Sequence, residues 1–288
     1  MPDYEEIMER KEKEAIHNGT QVPLWSSGHQ ISDMEVYNLL RVEEGISLKF
    51  VPGTNWSYSN SGYILLGLVV AKLSGMTFSD FLEREVFRPL GMVKTVAYVR
   101  GVNAVPNRVY GHAISSEKGF LGENDQSSTS ATLGDGGIYS SLDDLERWDS
   151  FLDQLTRTEE NEDIDKLRGD AIWFLRGRTV EGMFTPFALP NSGFPKWSSG
   201  PGDSDPLDGG DVMYGFGWFL NPLETGHKTY ERMWHYGETC GFRSCIQRFR
   251  WTDGEQLMGA RLTVVVLTNR TDIDPIALSI RIALSLLV

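Results

Sequence analysis

The chain has 288 residues, of which 40% are hydrophobic and 23% are charged, and this is the composition of an ordinary globular protein. Its 40 acidic and 27 basic side chains give a formal net charge of −13. That balance argues against nucleic acid or an anionic membrane as a partner, because both are bound through clustered Lys and Arg. The spacing of its His, Cys, Asp and Glu residues matches no metal site, so no metal or other cofactor is predicted. Cys240 and Cys245 are predicted to be free thiols, because the extended segment between them keeps them too far apart to bridge.

The first half of the chain is predicted to be mainly helical. A stretch rich in Glu and Lys at 5–14 indicates one helix, and a capping-box pattern at 32–35 begins another. The run 64–71 is apolar on all sides, which predicts a buried core helix that ends at Gly75. That run is too short to span a bilayer. A further helix, capped by Thr77, follows it.

The last third changes character and predicts an antiparallel sheet. A helix begins near Ser141, and a long loop rich in Gly, Pro, Ser and Asp precedes the sheet. A closing helix is predicted at 275–287. The sequence therefore predicts one α+β domain over 1–288, with a helical and loop region at 31–210 and a sheet region at 211–288. The predicted strands, recognised by their β-branched and aromatic residues, lie at 214–220, 232–235, 242–249 and 262–268.

The segment W-S-Y-S-N-S-G-Y at 56–63 holds the candidate catalytic pair. Tyr58 and Asn60 are two residues apart, and side chains with that spacing on an extended segment project to the same side. A phenol beside a carboxamide can transfer a proton next to a group that orients a substrate. A Y-x-N pattern is short enough to occur by chance, so its meaning depends on the other motifs of the chain.

Those motifs closely resemble the serine β-lactamase and penicillin-binding-protein superfamily, on its class C and DD-peptidase-like side. The resemblance covers nearly all of residues 1–288. It implies a β-lactamase/transpeptidase-like fold, with an antiparallel sheet and flanking helices beside a mainly helical region. Besides Y-S-N at 58–60, the motifs are F-V-P-G at 50–53, P-L-G-M at 89–92, G-D-G-G-I-Y-S-S at 134–141, Y-G-F-G-W at 214–218, H-Y-G at 235–237 and V-V-V-L-T-N at 264–269.

The resemblance also implies roles for five residues. Tyr58 matches the tyrosine that moves protons between the nucleophile, a lysine and the leaving group, and Asn60 matches the asparagine that contacts the substrate amide. His235 stands where the family has Lys or His, either to attract a substrate carboxylate or to assist proton transfer. Gly237 keeps the strand bare so that a substrate can lie along it, and the backbone N–H of Glu238 matches one oxyanion-hole donor.

Each of the main candidates also has a plain structural interpretation. Tyr58 could pack beneath the next helix with its hydroxyl bonded to backbone, and Asn60 could be a helix N-cap. A single histidine such as His235 is more often structural than functional. The surrounding motifs favour the functional interpretation in each case.

One part of the family pattern is missing. Family members attack the substrate with the serine of an S-x-x-K motif, in which a helical spacing of three places the lysine amine beside the hydroxyl. Upstream of Tyr58 no Ser is followed three residues later by Lys, and residues 1–4 resemble the segment that follows the nucleophile helix in relatives. The chain is therefore expected to be a domain truncated at its amino terminus and inactive in isolation. The S-x-x-K at 115–118 follows Tyr58, lies between glycines and is interpreted as a polar turn.

The resemblance implies hydrolysis of an amide or ester through an acyl-enzyme. Three substrates remain open: a β-lactam, a D-amino-acid peptide and a carboxylic ester, with His235 slightly favouring a peptidase or esterase. The alternative is a non-catalytic binding module, or a fragment that assembles with a partner chain. Relatives are often secreted or periplasmic, but the acidic residues after Met1 do not form a signal peptide, so no compartment is assigned.

Two structural expectations follow from the resemblance. Tyr58 and His235 should face each other across one cleft, within about two hydrogen-bond lengths. Without the family's amino-terminal strands, the strand at 262–268 would be a long apolar edge, and such edges pair with other chains. The chain is expected either to self-associate through that edge or to cover it with residues 1–30.

Overall fold

The computed structural model describes residues 2–42, 47–114, 121–158, 181–187, 212–251 and 261–287. The S-x-x-K at 115–118 lies outside these residues. The chain divides into two compact units. The first comprises Met1–Arg108 and Gln126–Ser141, and the second comprises Val109–Asp125 and Leu142–Val288.

The secondary structure is mainly helical in the first half of the chain and mainly β in its last third. The closing helix predicted at 275–287 is confirmed. In chain order the elements are α1 (Tyr4–Asn18), a 3₁₀ turn (Leu24–Ser27), α2 (Asp33–Val42), α3 (Asn60–Ser74), α4 (Phe78–Leu82) with a π-helical turn (Glu83–Phe87), β1 (Val96–Ala97), β2 (His112–Ile114), β3 (Leu121–Glu123), β4 (Ile138–Tyr139), α5 (Leu142–Thr158), β5 (Met213–Tyr214), β6 (Phe219–Thr225), β7 (Lys228–Thr239), β8 (Phe242–Trp251), β9 (Arg261–Thr268) and α6 (Pro275–Leu287).

The core of the first unit is formed by α1, α2 and α3. The predicted capping box at the start of α2 is confirmed, because the Glu35 N–H donates to Ser32 Oγ at 3.3 Å while the Ser32 N–H donates to the Glu35 carboxylate at 2.8 Å. These bonds satisfy backbone N–H groups that the first helical turn leaves without partners. The buried apolar side chains of this core are Tyr4, Ile7, Met8, Ile31, Val36, Leu40 and Ile64.

Only one face of α3 is buried, so the prediction of a helix buried on all sides is wrong. A Cβ placed on Gly67 would lie 3.1 Å from the Phe78 ring, which shows how closely the inner face is packed. On the opposite face, Leu66, Val69 and Leu73 are 57%, 49% and 82% exposed. Residues spaced by three and four share a helical face, and the first unit covers only the face of α3 that carries Gly67.

None of the described helices is by itself long and apolar enough to cross a bilayer. Helix α3 and the stretch Phe78–Phe87 meet that requirement only when taken together, and the chain bends by 76° between them.

The second unit contains the predicted antiparallel sheet, with strand order β5-β6-β7-β8-β9. The last residue pair between β6 and β7 joins Phe219 to Trp234, whereas β7 and β8 remain paired as far as Thr239 and Phe242. In the described part of the chain, residues 235–239 of β7 therefore pair with β8 alone. Strand β9 is the last strand of this sheet.

The single strand predicted at 214–220 is wrong, because the chain turns between β5 and β6. Gly217 has a φ of 79°, which favours glycine, and the Gly215 N–H donates to the Trp218 carbonyl at 2.8 Å. A Cβ on Gly215 would lie 2.2 Å from the Met183 carbonyl oxygen, so no larger residue fits at this turn. The apolar residues that predicted one strand belong to two neighbouring strands and the turn between them.

Helices α5 and α6 cover opposite faces of the sheet. Alternate residues of a strand point to opposite faces, so Met233 lies on one face of β7 and its even-numbered neighbours, such as Tyr230, lie on the other. Met233 packs with Leu152 of α5. The other face packs on α6, where Ala283 joins the cluster that includes Tyr230.

Candidate functional site

The Y-x-N segment lies immediately before α3 in the first unit. Ser59 is the N-cap of α3, since its backbone is extended and its Oγ accepts a hydrogen bond from the Gly62 N–H at 3.1 Å. The alternative that made Asn60 the N-cap is therefore wrong, and Asn60 is the first residue of the helix. Tyr58 is half-buried.

The side chain of Asn60 is held by the first turn of α1. Its Nδ2 donates to Oε2 of Glu5 at 3.2 Å. A carboxylate only accepts hydrogen bonds, so this contact orients the amide with Nδ2 toward Glu5. Burial raises the pKa of Glu5, and the hydrogen bond from Asn60 opposes that shift.

The starts of α1 and α3 are tied together by a small hydrogen-bond network. The Asp3 carboxylate caps α1 by accepting from the Tyr4 N–H at 2.8 Å, and it also accepts from the Ser61 hydroxyl at 2.9 Å. Ser61 is fully buried, and its Oγ accepts from the Tyr4 N–H at 2.8 Å. These bonds hold the start of α3 against α1, and the Ser59 cap joins the segment that carries Tyr58 to α3.

A buried acidic cluster lies close to this network, and sequence analysis missed it. The Tyr4 hydroxyl donates to Oδ2 of Asp135 at 3.0 Å. Burial raises the pKa of Asp135 to about 6, and the negative charge of Asp33 contributes to the rise. Burial also raises the pKa of Asp33, whose Oδ1 accepts from the Leu133 N–H at 2.7 Å. The only sequence signal for Asp135 was its place in the G-D-G-G motif.

His235 lies on β7 in the second unit, among aromatic side chains from three strands. Its ring stacks on Phe219 at a centroid distance of 5.0 Å and an angle of 24°. Its Nδ1 is 2.8 Å from the Tyr236 carbonyl oxygen, and its Nε2 is 3.1 Å from the Tyr214 hydroxyl. Burial lowers the pKa of His235, which keeps the ring neutral at pH 7. Of the two roles that the resemblance implies, a neutral ring supports assistance in proton transfer over attraction of a carboxylate.

Tyr214 is a candidate site residue that sequence analysis did not single out. It belongs to the Y-G-F-G-W motif, which was used only to recognise a strand. Its partner His235 is 21 residues further along the chain. The fold brings the two side chains together because β5 and β7 both flank β6.

Gly237 and Glu238 lie on the part of β7 that pairs with β8 alone, and both are exposed. The Glu238 carboxylate forms an ion pair with Arg243 across the hairpin, at 2.5 Å. A Cβ on Gly237 would lie 2.8 Å from Ser244 Oγ. Glycine therefore leaves a space beside Ser244 that any other side chain would fill.

The tip of the β7–β8 hairpin contacts His112 of β2 and Asn124, the residue after β3. Cys240 adopts a φ of 48°, a left-handed conformation that is uncommon outside glycine. The next residue, Gly241, donates its N–H to the Asn124 carbonyl at 2.6 Å, and a Cβ there would lie 2.0 Å from the His112 nitrogen. Cys240 and Cys245 are both free, as predicted.

The candidate residues thus form two groups in the described structure. Tyr58 and Asn60 belong to the first unit, whereas His235, Gly237 and Glu238 belong to the second. That Tyr58 and His235 face each other remains a prediction. Within the described ranges, no three His, Cys, Asp or Glu side chains are grouped so that they could hold a metal ion.

A family model described as Beta-lactamase matches residues 17–286. The chain belongs to the Beta-lactamase family. The resemblance seen in the motifs is thereby confirmed, and the Beta-lactamase model includes all five candidate site residues. Relatives in this family are serine hydrolases.

Curated relatives and a solved structure agree with this assignment. Penicillin-binding protein 4* of Bacillus subtilis (strain 168) is 27% identical over 260 residues, which are 86% of this chain and 47% of that protein. A D-aminopeptidase of Gluconobacter oxydans (strain 621H) is 31% identical over 115 residues, which are 40% of this chain and 21% of that protein. The chain therefore spans less than half the length of these relatives.

The fold agrees with that of a solved relative. The octameric penicillin-binding protein homologue from Pyrococcus abyssi has a TM-score of 0.62 and 21% identity, over 98% of this chain and 52% of that one. At this identity the likeness shows the fold. It confirms the predicted combination of an antiparallel sheet and helices.

Proposed function

We propose that residues 1–288 form a hydrolase-type site for a D-amino-acid peptide or amide, which the chain binds along the open stretch of β7. The observation that carries this proposal is the end of β6 pairing at Trp234. Further along the strand, Gly237, Glu238 and Thr239 are exposed. A D-aminopeptidase is among the relatives of the chain, and this relative supports a D-amino-acid substrate.

An open strand edge binds extended ligands through main-chain hydrogen bonds, as an added strand. Such binding requires a strand that side chains do not block. At Gly237 no side chain is present, and the Glu238 side chain is held across the hairpin by Arg243. The proposal assigns the Glu238 N–H to the substrate carbonyl as one oxyanion donor.

The proposal assigns the remaining chemistry to three side chains. Tyr58 transfers the proton, and neutral His235 assists that transfer. Asn60 orients the substrate amide through Oδ1, since its Nδ2 is held by Glu5.

An acyl-enzyme also requires a nucleophile, and upstream of Tyr58 the sequence has no S-x-x-K. Removing the nucleophile from such a catalytic unit costs on the order of a million-fold in rate. We therefore expect residues 1–288 to bind the substrate without being acylated. Intact-mass spectrometry after incubation with a penicillin or a nitrophenyl ester should show no adduct. An adduct on any serine would contradict this, and one on Ser115 would identify the S-x-x-K at 115–118 as the nucleophile motif.

Binding itself is tested by calorimetry with an N-acyl-D-alanyl-D-alanine peptide and its L-enantiomer. The D-peptide should bind the wild type more tightly than the L-peptide does. A double variant, Gly237→Ala with Ser244→Ala, places a methyl group on the strand edge and removes the Ser244 hydroxyl that this methyl would meet.

The double variant should lose at least about tenfold in affinity for the D-peptide, which corresponds to about 1.4 kcal/mol. Ser244→Ala alone and Gly122→Ala, at a position where a Cβ meets nothing within 4 Å, serve as controls and should bind like the wild type. Equal affinities of the wild type and the double variant would refute the strand-edge site.

A second candidate, self-assembly of the chain as a binding module, is favoured by the position of β9. In the described sheet β9 has a strand on one side only, and it carries the run Val264, Val265, Val266 and Leu267. A relative of known structure is octameric. We propose that copies of this chain associate through that edge.

A further inference from the structure

We propose that Tyr214 is a positioning residue that holds His235 as the neutral tautomer with a proton on Nδ1 and none on Nε2. The inference deepens the proposed function, on which the catalytic relevance of His235 rests. It concerns the resting state of the ring, so it can be tested without a substrate.

The Nδ1 side of the ring determines where the proton lies. Nδ1 is 2.8 Å from the backbone carbonyl oxygen of Tyr236. A carbonyl oxygen can only accept a hydrogen bond, so Nδ1 must be the donor. In a neutral imidazole only one nitrogen carries a proton, and Nε2 is therefore left as an acceptor.

The Nε2 side meets a group that suits this tautomer. The Tyr214 hydroxyl is 3.1 Å from Nε2, and a phenol can donate its proton to the unprotonated nitrogen. Which nitrogen of a histidine is protonated depends on the hydrogen bonds of the other one. The two contacts of His235 favour the same tautomer, and together they fix the orientation of the ring.

The packing around the ring keeps it neutral and in place. Phe219 from β6 stacks on His235. The residue paired with His235 on β8 is the apolar Ile246. Tyr214 from β5 and Tyr236 from its own strand are titratable side chains that contact the ring. Further along the hairpin, the charged side chains of Glu238 and Arg243 are paired with each other.

The consequence for the site is that Tyr214 sets the direction of the basic nitrogen. The lone pair of Nε2 points toward the Tyr214 hydroxyl, and the ring cannot turn it elsewhere without breaking both hydrogen bonds. A substrate on the open stretch of β7 then meets a neutral, fixed imidazole rather than a mobile cation.

Nitrogen-15 NMR of the histidine side chains tests this proposal on the free protein at about pH 7.5. The His235 signals are identified by their loss in a His235→Gln variant. In the wild type, Nδ1 should appear in the protonated range and Nε2 in the unprotonated range. In Tyr214→Phe, Nδ1 should stay in the protonated range because the Tyr236 carbonyl is unchanged. The Nε2 resonance should move further away from the protonated range, because Nε2 no longer accepts a hydrogen bond.

Tyr214→Phe keeps the ring that packs 4.8 Å from Phe219, so the variant should retain the fold. Tyr236→Phe is the matched control, since it removes a hydroxyl from another ring beside His235 while leaving the backbone carbonyl that binds Nδ1. Its His235 spectrum should match that of the wild type.

Two results would overturn the proposal: a wild-type His235 that is charged or protonated on Nε2, or a Tyr214→Phe spectrum identical to the wild-type one. The first is read without any variant. A correct tautomer in a protein that binds no D-peptide would leave this inference standing and would refute the proposed function instead.

Discussion

The carboxyl of Asp135 is held in a position that disfavours its charge. It accepts a hydrogen bond from Tyr4, which is itself almost fully buried, and Asp33 adds a second acidic group nearby. Burial favours the neutral acid, and a like charge acts in the same direction. The contribution of Asp135 to the stability of the first unit therefore depends on pH.

The stability of the first unit should therefore depend on Asp135. Folding raises its pKa from the ordinary 3.8 to about 6, so its contribution is complete below pH 3.8 and is lost as the pH rises through about 6. The loss amounts to about 3 kcal/mol, at 1.36 kcal/mol per pKa unit. An Asp135→Asn variant cannot ionise, and it should gain stability relative to the wild type between pH 4 and pH 7.

Denaturant unfolding at these two pH values measures the difference. Asp80→Asn, at an exposed position on α4, is the control and should follow the wild type. Parallel pH profiles for Asp135→Asn and the wild type would show that Asp135 ionises normally.

At the scale of single residues, sequence analysis recognised the motif positions but not their partners. Tyr58 and His235 stand out because of their neighbours in the sequence. The contact between His235 and Tyr214 depends on how β5, β6 and β7 align, and the turn at 215–218 that sets this alignment was predicted as part of one strand. The N-cap of α3 was placed one residue too late, because Ser59 and Asn60 are both good capping residues.

At the scale of elements, α5 is attached to the sheet by buried ion pairs. Arg248 of β8 is 1% exposed and lies 3.0 Å from the Asp149 carboxylate of α5. Arg261 of β9 contacts Asp149 at 3.2 Å and Asp153 at 2.6 Å. Burial, and then the charge of Arg261, lower the pKa of Arg248 to about 10, so the acidic residues of α5 are needed to compensate two cations.

Asp149→Asn should therefore destabilise the second unit by about 3–5 kcal/mol, because it removes the carboxylate that the buried Arg248 contacts. Glu231→Gln makes the same chemical change in the exposed pair with Arg250 on the same sheet, and exposed pairs contribute less than about 1 kcal/mol. Thermal and denaturant unfolding of both variants would measure these effects. Similar losses in the two variants would mean that burial does not set the strength of the Asp149 contacts.

The elements that sequence analysis predicted best are those whose ends carry local signals. Pro275 begins α6, and Gly75 ends α3 with a φ of 69°. What failed was the prediction of which faces are covered. The apolar run 64–71 specifies a helix, but whether Leu66 and Val69 find partners depends on distant segments of the chain.

At the scale of the whole molecule, the β9 edge of the described sheet bears on assembly. Leu267 of β9 is 43% exposed, and an edge strand presents backbone groups that can pair with another chain. The apolar side chains of α1, among them Tyr4 and Ile7, are used in the core of the first unit. This use favours self-association over coverage of the edge by residues 1–30.

Leu267→Lys should lower the association of the chain, since a charge on an edge strand opposes pairing. Light scattering at micromolar concentration would show a smaller mean mass than for the wild type. Leu73→Lys, on the exposed stripe of α3, is the comparison and should leave the mass unchanged. If Leu73→Lys dissociates the protein and Leu267→Lys does not, α3 rather than β9 forms the interface.

The division of the chain into units also bears on its synthesis. The hydrogen bond between Tyr4 and Asp135 joins residues that are 131 positions apart, and residues 109–125 of the other unit lie between them in the chain. At about 5–20 residues per second, the ribosome needs roughly 7–26 s after adding Tyr4 to reach Asp135. During that interval Tyr4 lacks the carboxyl that it binds in the finished fold, and the nascent chain must keep α1 from aggregating or meeting a wrong partner.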